Sequence, residues 1–74
     1  MTPLTGWSVY KRPKDYPDFF VARRWEIRHG GDIVMTDNII IAENLRSLRG
    51  LLPLGLTRLT REPDDDPCIV EVWL

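Results

Sequence analysis

The chain has 74 residues, a net charge of −1, one cysteine and one histidine. A lone Cys68 rules out an internal disulfide, and His29 with Cys68 falls short of the four soft or borderline ligands a structural zinc site needs. The charge balance lacks the basic excess of a dedicated nucleic-acid binder.

One domain over residues 1–74 is expected. A domain this short buries only about 60% of the surface its unfolded chain exposes. With disulfide and metal set aside, a partner subunit is the support left. The first residues lack the basic and apolar regions of a secretory signal, and the longest aliphatic run, Ile39–Ala42, cannot span a bilayer. The expectation is a soluble cytoplasmic protein without membrane contact. Charge is uneven: residues 1–30 carry +3, residues 31–61 carry +1, and residues 62–74 carry −5. Such asymmetry suits self-association or an internal ion-pair face.

Four punctuated stretches mark turns: Pro13 to Pro17, Gly30-Gly31, Pro53 to Gly55, and Pro63 to Pro67. Trp7 to Arg12 reads as a short strand and Phe19 to Arg28 as the longest one. In the latter, Phe19, Val21, Arg23, Trp25 and Ile27 alternate with Phe20, Ala22, Arg24, Glu26 and Arg28. The first set is the more apolar and is expected to face the core. Ile33 to Ile41 reads as two brief strands around a turn at Thr36-Asp37-Asn38, the isoleucines favouring strand over helix.

Asn44 is the expected N-cap of a helix of about ten residues, with Leu45, Leu48, Leu51 and Leu52 at helical spacing and Pro53 and Gly55 ending it. Leu56 to Arg61 and Cys68 to Leu74 are expected to pair as an antiparallel hairpin across Glu62–Pro67. In the last strand Cys68, Val70, Val72 and Leu74 are expected beneath the helix.

The fold class is therefore α+β. Its order is strand, strand, short strand, helix, strand, strand. A mostly antiparallel sheet of four or five strands carries one short helix on one face. A β-α-β crossover from Ile39–Ile41 to Leu56–Arg61 would add one parallel pair.

Asp64-Asp65-Asp66 with Glu62 could offer oxygens to a hard cation. The run lacks the alternating ligands and the glycine of a calcium loop, so a solvated turn is favoured. His29 has no nucleophile and orienting acid at a supportive spacing, although Ser8, Ser47 and Cys68 are formal candidates. Gly30-Gly31 lacks the further glycine or lysine of a phosphate loop. No cofactor is expected, no catalytic residue is assigned, and Cys68 reads as a small buried hydrophobe.

The remaining candidate is a surface. A single helix covers one sheet face, and alternation places Tyr10, Phe20, Arg24, Arg28, Glu71 and Trp73 on the other. Aromatic and arginine residues suit a protein partner or a homodimer. They could also stack and pair with single-stranded nucleic acid, which the weak positive charge disfavours. The plain alternative is a solvated face laced by Arg24 or Arg28 with Glu71.

Phe19 to Ile27 and the tail from Gly55 through Pro67 to Leu74 resemble a family of short uncharacterised bacterial proteins. The likeness covers most of the chain after Val9. It implies a compact free-standing domain and contributes no site residues.

Overall fold

The computed structural model describes residues 4–60 and 67–74. In chain order they form β1 (Leu4–Lys11), β2 (Phe20–Ile27), β3 (Ile33–Ala42), α1 (Leu45–Leu51), β4 (Arg58–Leu59) and β5 (Ile69–Trp73). The strands make one sheet in the order β3-β2-β1-β5-β4, and every neighbouring pair is antiparallel. This is the expected α+β architecture. The expected parallel pair does not form, because β3 and β4 lie on opposite edges and α1 belongs to the connection between them.

β1 and β2 pair along their whole lengths, from Leu4 opposite Ile27 to Lys11 opposite Phe20. Gly6 sits opposite Trp25, and a methyl group there would run into the indole and come within 2.8 Å of Leu74 Cδ2. Glycine is needed because the ring lies across the backbone. Trp25 Nε1 then donates to Ser8 Oγ at 3.1 Å. The turn into β3 uses Gly30 and Gly31 at φ values of 96° and 88°, which glycine adopts without steric cost.

β3 is one strand rather than two. The polar residues Thr36 to Asn38 form a bulge, where the register jumps from Arg23–Ile39 to Trp25–Met35. Thr36 Oγ1 donates to the Arg24 carbonyl at 3.1 Å and accepts from the Asn38 N–H at 3.2 Å. Their side chains satisfy the backbone locally without reversing the chain. A second irregularity falls in β5, where Val9 faces Glu71 and Tyr10 faces Ile69, leaving Val70 as the extra residue.

Asn44 caps α1 as expected: its backbone is extended and its Oδ1 accepts from the Ser47 N–H at 2.8 Å. The helix is seven residues long, shorter than expected. Leu48 is its fully buried residue and packs with Trp7, Val9, Ala22, Ala42 and Leu52. Phe20, Ile40, Leu45, Leu56, Val70 and Trp73 close around that cluster.

The helix therefore lies on the opposite face from the one alternation predicted. It lies on the side of the even-numbered residues of β2, packing over Phe20 and Ala22, and not on the side of Val21, Arg23, Trp25 and Ile27. Trp73 and the bulged Val70 turn toward it, whereas Val72, expected beneath the helix, shares the other face with Ser8 and Trp25. The small side chains of Ala22 and Ala42 let Leu48 approach the sheet closely, and close packing of this kind sets the interaxial fit.

Leu48→Ala should cost about 2–5 kcal/mol in urea unfolding, the range for emptying a buried leucine site. Leu51→Ala, at an exposed position of the same helix, should change stability by no more than about 0.5 kcal/mol.

Candidate interaction surface

A seven-residue helix is about 10 Å long and about 10 Å wide. Five strands at ~4.8 Å spacing span ~20 Å. The helix thus leaves part of its own face bare, and that remainder is polar. Arg24 Nη1 donates to Glu26 Oε1 at 2.9 Å, and Arg28 Nε donates to Glu26 Oε2 at 3.4 Å.

Glu71 is the exception on this side, only 5% exposed. Arg49 of α1 holds it with two hydrogen bonds, Nε to Oε1 at 3.1 Å and Nη2 to Oε2. Arg58 Nη1 reaches Oε2 at 3.3 Å and Trp73 Nε1 reaches Oε1 at 3.3 Å. Burial pushes the carboxyl pKa up. The hydrogen bonds from Arg49 and Trp73, the Arg49 charge and the bond from Arg58 outweigh that and hold it below the usual carboxylate range.

Of the six residues singled out from the sequence, Phe20, Arg24, Glu71 and Trp73 lie on the helix side of the sheet, with Glu71 and Trp73 packed beneath or beside α1. Arg28 is exposed just past β2. Of the five that lie in strands, Tyr10 alone is on the opposite side, where the Arg23 guanidinium sits 5.4 Å from its ring centre. The expected mixture of arginines and aromatics on one uncovered face is not assembled. The cross-strand pairing of Arg24 or Arg28 with Glu71 that the solvated-face alternative offered does not form: Glu26 is the partner of both arginines, and Arg49 is a partner of Glu71.

The uncovered face carries Ser8, Tyr10, Arg23, Trp25, Ile27, Ile33, Met35, Ile39, Ile41 and Val72 by strand register. At one end the β1–β2 connection folds over it. Pro13 is buried, Asp15 pairs with Arg23, and Val21 is fully buried. Arg23 Nε is buried without a hydrogen-bond partner. Elsewhere the face is open and apolar: Ile33 is 68% exposed, Met35 51%, Ile39 42% and Ile41 37%. Leu59 and Leu74, at the other margin, are exposed as well. Sequence periodicity marked this side correctly as apolar and wrongly as covered.

Two hollows lie in the middle of the face. One, of about 310 Å³, is lined by Ser8, Trp25, Ile27, Ile33, Met35 and Val72. The other, of about 560 Å³, is lined by Tyr10, Pro13, Lys14, Arg23, Met35 and Cys68. Met35 borders both.

The formal catalytic candidates are not brought together. His29 is exposed in the turn after β2, near the Leu4 end of β1. Cys68 lies at the other end, its carbonyl accepting from the Lys11 N–H at 2.7 Å. Eight strand residues separate those ends by roughly 25 Å. The acidic run Asp64–Asp66 lies outside the described residues, among which no cluster of three or more His, Cys, Asp or Glu could hold a metal. Among the described residues no helix is long and apolar enough to cross a membrane.

Fold and surface together define a small α+β sheet fold with one apolar face left open by the described residues. Comparison with protein-family models, with curated proteins and with solved structures found no match.

The depressed Glu71 pKa has a signed consequence. Its stabilisation is fully present above the unfolded-state pKa of about 4.3 and is lost as pH falls through the lower folded value. Urea midpoints measured from pH 7 down to pH 2 should therefore drop on the acid side. Glu71→Gln should lower the midpoint at pH 7 and flatten that limb.

Proposed function

We propose that the protein is an interaction module that engages another polypeptide through the uncovered sheet face. The observation that carries this reading is the grouping of Ile33, Met35, Ile39, Ile41, Leu59 and Leu74, all large, apolar and exposed, on one side of one sheet. Along the two margins of this face their exposed surface comes to on the order of 600 Å², at the upper end for the largest patch of an ordinary monomer. A merely solvated antiparallel face alternates toward polar residues. This one does not.

Binding is favoured over catalysis because the strongly held carboxylate, Glu71, is committed to Arg49, Arg58 and Trp73 instead of to either hollow. Protein is favoured over nucleic acid because, of the strand positions that the register pairs on this side, Arg23 is the charged one and Asp15 pairs with it, so that Lys14 at the larger hollow adds little positive charge to an otherwise apolar face. The lone cysteine supports a reducing, cytoplasmic setting.

Methionine oxidation by peroxide reads out the cover on this face. The reference is an exposed methionine introduced by Leu54→Met, a fully exposed position away from the sheet. In cells, Met35 should oxidise far more slowly than the reference. In the purified chain at nanomolar concentration the two rates should converge. Equal rates in both settings would overturn the proposal.

A further inference from the structure

We infer that the occupant of the uncovered face is a second copy of this chain, docked face to face about a two-fold axis. This rests on the interaction reading above and deepens it. The first support is relief. Ile33, Met35, Ile39 and Ile41 stand along the edge strand β3 as a ridge. Beside them the two hollows over β1, β2 and β5 form a trough. A ridge flanked by a trough is self-complementary under two-fold rotation, because the ridge of each copy enters the trough of the other. Met35, which borders both hollows, is the natural knob.

Area is the second support. The ~600 Å² of exposed apolar side chain approaches the ~800 Å² per partner of a standard interface, before the polar rim is counted. Homodimer interfaces are also the more apolar class.

Charge and stability point the same way. A face of one strong sign repels its own copy, but here Arg23 pairs with Asp15 and Lys14 at the rim of the larger hollow is the charge left over. The buried apolar residues of the monomer are few: Trp7, Val9, Val21, Ala22, Ala42, Leu48 and Leu52 among those described. A core this small gains from a permanent cover, which a second copy supplies whenever the chain is made. Aligned packing of two twisted sheets at ~10 Å separation is the geometry such faces adopt.

The test uses the full chain. Light scattering over a micromolar to millimolar series should give twice the 8.6 kDa chain mass. A mixed sample of labelled and unlabelled chains should show intermolecular NOEs from the Met35 or Ile39 methyls to Trp25 or Val72. Met35→Glu should raise the dimer dissociation constant about 100-fold or more, as for a central anchor, with an unchanged far-UV spectrum. Leu54→Lys should leave it unchanged. A monomer at millimolar concentration overturns the inference, and Met35 protection in cells would then leave the broader reading standing with a different partner. A dimer whose NOEs arise from the helix or from the Leu54 region overturns it as well, and unprotected Met35 in cells would sink both.

Discussion

The fold turns on the carboxylate of Glu71. Burying an ionised carboxylate costs several kcal/mol unless charge and hydrogen bonds compensate. Compensation here comes from three separate places in the chain: Arg49 on α1, Arg58 on β4 and Trp73 two residues further along β5. The same contacts tie the helix to the β4–β5 end of the sheet, while Leu48 packs with Ala22, Ala42 and Val9. On this face Arg49 reaches Glu71 while Leu48 meets the small residues Ala22 and Ala42, so one helix serves both the ion pair and the core.

Once the helix is committed, the other side has nothing in the described chain to cover it except the β1–β2 connection. That connection reaches Arg23 and closes over Val21. The remaining isoleucines and Met35 stay in solvent. Exposed apolar area at ~25 cal/mol per Å² is a standing incentive for association. A long edge strand beside it, β3, would be a further liability, and its bulge at Thr36–Asn38 is a device that disrupts continuous pairing with another edge. Edge-to-edge addition is thereby disfavoured and face-to-face packing left open.

Much of this was legible in the sequence. The strand-rich α+β class, the Asn44 cap, the Gly30-Gly31 turn and the final antiparallel hairpin all follow from local chemistry that tertiary packing did not override. The facing of the strands was not legible. In β2 both alternating sets begin apolar, and hydropathy ranks Ala22 low although its small size is what the helix needs. The bulge at Val70 reverses parity inside β5, so counting by twos from Cys68 to Leu74 assigned Val72 and Leu74 to the wrong side. Glu71 looked like a solvent-facing residue because its partners, Arg49 and Arg58, lie 22 and 13 positions away. No local window contains them.

The central claim is that α1 lies on the Ala22–Glu71 side and leaves the Trp25–Met35 side uncovered. Methyl NOEs from Leu48 test it most directly in the wild-type chain, using dilute protein and intrachain contacts alone. The expected result is strong contacts from the Leu48 methyls to Ala22, Ala42 and Val9. Contacts from Leu48 to Val21, Val72 or Leu74 in their place would contradict it.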